Sequence, residues 1–193
     1  MWRRARKALL FLALGSGLGA CAEDLGPELE ALSPEDSRIL FQAPGLTDKS
    51  ARFMRNYNAR QSALIERAIW KGPEARHAKA LVQYVRASPG YHLRRETDIG
   101  ELLKNIGSFS DKSLDVESEK WEVNDLGRIK YRRFSFDDTR CIIFGQLFGS
   151  TGSDLVGGVT GDQELIGYYC ADPGQPFDKS AMKRVLTSIS LKK

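Results

Sequence analysis

Chemistry in this chain would have to come from a short set of residues. There are three cysteines, Cys21, Cys141 and Cys170, and two histidines, His77 and His92. The histidines do not stand at metal-ligand spacing. No cysteine has the Cys-x-x-Cys neighbour of a redox pair or a zinc site. No Gly-x-Ser-x-Gly elbow presents a nucleophilic serine. The glycine-rich stretch from Gly149 to Gly161 lacks Gly-Lys-Ser/Thr and lies between two strand-like runs, so it reads as a hairpin loop and not a phosphate cradle. Asp154, Asp162 and Glu164 offer the oxygens calcium takes, but their spacing matches no EF-hand. Paired carboxylates stay open as a hydrolytic device, because geometry and not spacing identifies them. Trp121, Tyr131, Phe134, Phe136, Tyr168 and Tyr169 line either a ligand groove or the core, and their strand spacing favours the core. We therefore expect no catalytic residue, no metal and no cofactor from these patterns.

The first 21 residues are more specific. Arg3, Arg4, Arg6 and Lys7 precede an apolar run from Ala8 to Leu14, and small residues then lead to a cysteine in Leu18-Gly19-Ala20-Cys21. That order is an export signal. The apolar run is shorter than the roughly 20 residues a spanning helix needs. Leu18-Gly19-Ala20-Cys21 resembles the lipobox of bacterial lipoprotein precursors. The resemblance implies that the Cys21 thiol carries a diacylglyceryl group, that the chain is cut before Cys21, and that the new amino terminus is acylated. Two or more acyl chains give stable anchoring. Ala22 follows where some bacteria place a retention aspartate, and by resemblance to the enterobacterial lipoprotein rule this implies the outer membrane, with the protein facing the periplasm.

Two further expectations follow from that resemblance. With Cys21 lipidated, Cys141 and Cys170 remain, both in apolar strand-like stretches on an oxidising side of the membrane, and we expect them to form a disulfide. The net charge of +4 equals the four basic residues of the signal, and no acid precedes Cys21, so the mature chain is formally neutral. Nucleic acid is therefore not an expected partner. Charge is nonetheless uneven. Between Lys49 and Arg95 eleven Lys or Arg face only Glu66 and Glu74, either a solvated helical surface or a patch for an anionic glycan or lipid.

The elements that would position these residues divide the chain into a signal peptide (1–20), a lipidated N-terminus with an acidic, proline-punctuated tether (21–47), and one globular domain (48–193). Phe53, Met54, Tyr57, Leu64, Ile65, Ala68 and Ile69 recur at helical spacing, Gly72-Pro73 breaks the pattern, and Ala75, Ala78, Leu81, Val82 and Val85 resume it. This predicts a helical hairpin. Thr97-Asp98 starts a short helix through Leu102, Leu103 and Ile106. Beyond it, Asn124-Asp125-Leu126-Gly127 and Asp137-Asp138 read as hairpin turns, Cys141 to Phe148 as a central strand, and Leu165 to Cys170 as another. A slip of alternation at Arg132-Arg133 suggests a bulge. Asp178 caps a last helix carrying Ala181, Met182, Val185, Leu186 and Ile189. The predicted class is α+β: an N-terminal helical hairpin packed on a C-terminal antiparallel sheet, closed by the last helix.

The expected function is a lipid-anchored, periplasm-facing envelope protein with a binding or structural role. Its partners would be the membrane, through the anchor, and an envelope protein or an anionic glycan or lipid. The alternative is a lipid-anchored hydrolase acting on envelope polymers, which requires a convergent polar cleft with perturbed carboxylates.

Overall fold

The computed structural model describes residues 29–58, 62–72, 78–94, 99–104, 106, 109–110, 112–150, 152–153 and 159–192. The expected signal peptide (1–20), the lipobox-like Leu18-Gly19-Ala20-Cys21 and Cys21 itself lie outside this set, as do His77 and Asp154. The described chain is mostly antiparallel strand. Its strands are β1 (Glu30–Leu32), β2 (Ile39–Phe41), β3 (Ala51–Asn58), β4 (Ala63–Lys71), β5 (Ala78–Ala87), β6 (Leu93–Arg94), β7 (Asp115–Val116) and β8 (Lys120–Asn124). There follow β9 (Gly127–Phe136), β10 (Thr139–Phe148), β11 (Gly152–Ser153), β12 (Val159–Gly161), β13 (Gln163–Cys170) and β14 (Ile189–Leu191). Two helices are described, α1 (Ile99–Lys104) and α2 (Lys179–Thr187).

The α+β class with an N-terminal helical hairpin is overturned. The segments read as two helices are the strands β3, β4 and β5, paired antiparallel so that Phe53↔Ala68 and Ala68↔Val82 form one row across them, with a register shift at Trp70/Lys71. They belong to one nine-stranded sheet ordered β1-β3-β4-β5-β13-β10-β9-β7, with β8 also on β9. The reason lies in burial. β5 buries residues on both faces, so its two-residue alternation is filled in and the apolar positions mimic helical spacing. Tertiary pairing outweighs the helical propensity of the Ala, Leu, Glu, Arg and Lys in these strands.

One sheet thus separates two cores. On one face Phe53, Trp70, Tyr131, Phe144 and Tyr169 pack beneath β14, α2 and β2, which contributes Phe41. On the other, Ile69, Phe134, Phe136, Ile143 and Tyr168 pack with Ile99 and Leu103 of α1 and with Phe109. Close sheet packing requires Gly167, because a Cβ there would fall 2.9 Å from the Phe144 ring and closer still to the Leu81 carbonyl oxygen. The Arg132-Arg133 slip is not a bulge. The β9–β10 register runs unbroken from Gly145↔Lys130 to Thr139↔Phe136. Ile129 and Tyr131 enter the first core, while Phe134 and Phe136 enter the second.

The acidic tether also ends earlier than expected. From Glu30 the chain is part of the domain: β1 pairs with β3, and β2 pairs with β14. Ile39 and Phe41 are core residues. A buried carboxylate holds this segment down. Glu66 on β4 is fully buried and accepts hydrogen bonds from Arg55 Nη2 at 2.9 Å and from the Arg38 backbone N–H at 2.9 Å. Arg55 Nη2 also donates to the Asp36 carbonyl at 2.9 Å. At the far end of the segment the Tyr169 hydroxyl donates to the Pro44 carbonyl at 2.8 Å, and burial pushes that phenol up to about 12.

The C-terminal half matches the expectation more closely. The turns at Asp125-Leu126 and Asp137-Asp138 are present, and β10 lies inside the sheet between β13 and β9. Asp178 caps α2 by accepting the Ala181 N–H at 2.8 Å. Ile189 lies beyond the helix, in β14.

Candidate interaction edge

Cys141 and Cys170 form a disulfide with Cα atoms 4.1 Å apart. They face each other directly across β10 and β13. The Ala171 N–H bonds the Arg140 carbonyl in the adjacent pair, so the cysteines occupy a non-hydrogen-bonded position, where side chains approach most closely. Both are buried in the second core, which makes the bond structural.

Of the acids singled out as ligands, Asp154 lies outside the described residues. Asp162 accepts the Ser150 N–H at 2.9 Å and braces the loop after β10. Among the described residues no group of three or more His, Cys, Asp or Glu side chains is placed to hold a metal ion. His92 is exposed. A polar recess of about 220 Å³ lies at the β9–β10 turn against Asp115, Glu117, Arg133, Asp137, Asp138 and Arg140. Glu117 there bridges Arg133 at 3.2 Å and Lys120 at 2.9 Å. Its hydrogen bond from Lys120 holds its carboxyl below the usual carboxylate range. That favours the ionised form, the reverse of what a general acid requires.

The six aromatic residues separate cleanly. Tyr131, Phe134, Phe136, Tyr168 and Tyr169 are buried, whereas Trp121 is 46% exposed. It stands on β8, at the edge of the sheet, with Val123 at 60% exposure two residues on. Register places Lys130 opposite Trp121 and Arg128 opposite Val123. Arg128 Cζ lies 4.4 Å and Lys130 Nζ 4.8 Å from the Trp121 ring centroid, so two cations hold one indole. Lys130 also bridges Glu119 at 3.1 Å. The even-numbered residues of β8 face α2: Glu122 lies 3.8 Å from Lys183, and Asn124 is buried against Leu186. Among the described strands β8 pairs with β9 alone.

Sequence patterning singled out Trp121 but not its neighbours. The cue was present in the Asp125-Leu126 turn, since folding the chain back there aligns Trp121 and Val123 with Lys130 and Arg128. The expected basic helical patch does not form. Its segment is β-sheet, and several of its cations are bound internally: Arg55 by Glu66, Arg67 by Gln83, and Lys79 by Asp172 at 2.6 Å.

Gln146 has no such cue. It is 1% exposed on β10, and neither its amide nitrogen nor its amide oxygen has a hydrogen-bond partner among the described residues. Leaving a buried amide unpaired costs about 1–3 kcal/mol. Gln146→Met keeps the shape and removes the unpaired groups, and is expected to raise unfolding stability in urea by about 1 kcal/mol. A fall of that size would show that the amide is satisfied in solution.

No protein-family model matches this chain, and no curated protein or solved structure matches it either. What the geometry defines is a predominantly antiparallel β-domain with a buried cross-strand disulfide and an aromatic, cation-flanked sheet edge.

Proposed function

We propose that this chain is a lipid-anchored protein of the bacterial cell envelope, held in the outer membrane through Cys21 and facing the periplasm. Its role is binding or structural, and its contact surface is the β8 edge around Trp121. One observation carries the reading. The Cys141–Cys170 disulfide uses two of the three cysteines and leaves Cys21, at the end of the lipobox-like Leu18-Gly19-Ala20-Cys21, as the single cysteine outside it. A buried disulfide suits an oxidising compartment. The β8 edge supports a contact role because Trp121 and Val123 are large apolar side chains left at solvent on a strand paired on one side among the described residues.

Cys21→Ser tests the anchor. The expected result is transfer of the protein from the membrane pellet to the soluble fraction, with loss of the acyl mass from the N-terminal peptide. Retention of the variant in membranes with an unchanged N-terminal mass would refute the anchor.

A further inference from the structure

The β8 edge has a composition that fits itself. The two-residue turn closes on the Asn124↔Gly127 pair, so the backbone groups of Asn124, Glu122 and Lys120 point toward β9. Those of Trp121 and Val123 point outward. The Val123 N–H accordingly donates to the side chain of Glu122, at 3.2 Å from Oε1, and not to a neighbouring strand. Lys120 and Glu122 flank Trp121 with opposite charges on one face of the strand. Both are available for exchange. Lys120 pairs with Glu117 where both side chains are at least 40% exposed, and Glu122 meets Lys183 only at 3.8 Å.

We propose that β8 is a self-association edge: a second copy of this chain adds to it as an antiparallel strand about a two-fold axis through Trp121. In that register Trp121 lies opposite Trp121 of the second copy. Lys120 lies opposite Glu122 of the second copy, and Glu122 opposite its Lys120, so two ion pairs form symmetrically. A register centred on Glu122 would oppose two like charges, which destabilises a strand pair. The outward N–H and C=O groups of Trp121 supply the main-chain bonds, as in other strand additions. A two-fold contact of this kind closes at two copies and does not propagate. The inference rests on the reading of this edge as the contact surface. Lipid anchorage would assist it by confining two copies to one plane, where effective concentration is high.

Charge exchange provides the test. Sedimentation of the detergent-solubilised full-length protein is expected to show a concentration-dependent dimer. Lys120→Glu creates Glu–Glu oppositions and Glu122→Lys creates Lys–Lys oppositions, each expected to weaken association by about tenfold or more. An equimolar mixture of the two variants restores opposite charges at both positions and is expected to regain the dimer. Melting of each variant checks the fold. If Glu122→Lys disturbs the contact with α2, Lys120→Glu, altering an exposed side chain, carries the test alone. Wild-type protein that stays monomeric at every concentration, or a dimer unchanged by Lys120→Glu, overturns the pairing. So does a folded pair of variants that does not recover on mixing. None of these results bears on Cys21, and a Cys21→Ser protein that stays in membranes would refute the anchor while leaving the pairing intact.

Discussion

Replacing both Cys141 and Cys170 with alanine is expected to lower unfolding stability by about 3 kcal/mol, on the chain-entropy account of how a cross-link restricts the unfolded chain. The cysteines are separated by 29 positions, so the cross-link closes a sizeable loop in the denatured state. For a domain of this length the loss corresponds to a fall in melting temperature of roughly 6–12 °C. Alanine is preferred to serine because both positions are buried in the second core, where an unpaired hydroxyl would add its own penalty. Reduced wild-type protein should melt with the double variant. A double variant that melts with the oxidised wild type would show that the strand pairing alone, eight matched positions from Cys141↔Cys170 to Phe148↔Gln163, holds β10 to β13.

That region was also the most legible part of the sequence. Turns with strong local chemistry, Asn124-Asp125-Leu126-Gly127 and Asp137-Asp138, fix the β8–β9–β10 meander whatever surrounds it. α2 was legible because it packs on one side only: Ala181, Met182, Val185 and Leu186 face inward and the rest face out. β4 and β5 were not, for the opposite reason. Ile69 faces one core while Ala68 and Trp70 face the other, and the same holds for Leu81 against Ala80 and Val82. A strand buried on both sides carries no period of two, and its apolar residues can be fitted to a helix. Similarly, the slip at Arg132-Arg133 was real in the sequence but marks the passage from one core to the other. Of the candidate site, Trp121 was visible as a residue type. Its exposure depends on β8 being an edge, which follows from the order of the whole sheet and from no local feature.

The second large effect is expected at Glu66, and it should depend on which partner is removed. Glu66 has no exposed surface, while the Arg55 side chain is 35% exposed. Arg55→Met therefore strands a buried carboxylate whose remaining support is the Arg38 backbone N–H at 2.9 Å and a guanidinium at 3.8 Å. Breaking a buried pair from this side is expected to cost about 3 kcal/mol or more. Glu66→Met removes the costly group itself and leaves Arg55 able to reach water, so its loss should be smaller. The double variant should be more stable than Arg55→Met alone, because the carboxylate that Arg55→Met stranded is gone. Urea unfolding of the three variants measures this, and equal losses in Arg55→Met and in the double variant would contradict it. Hydrogen exchange places the effect in the fold. Since Glu66 Oε2 accepts from the Arg38 N–H, and Arg55 donates to the Asp36 carbonyl, opening should begin at residues 36–41. Ile39 and Phe41 cover the first core, and Phe41 meets Trp70 edge-on at 5.5 Å. Loss of one ion pair at the foot of β2 would thus expose the aromatic cluster that β2 and β14 close.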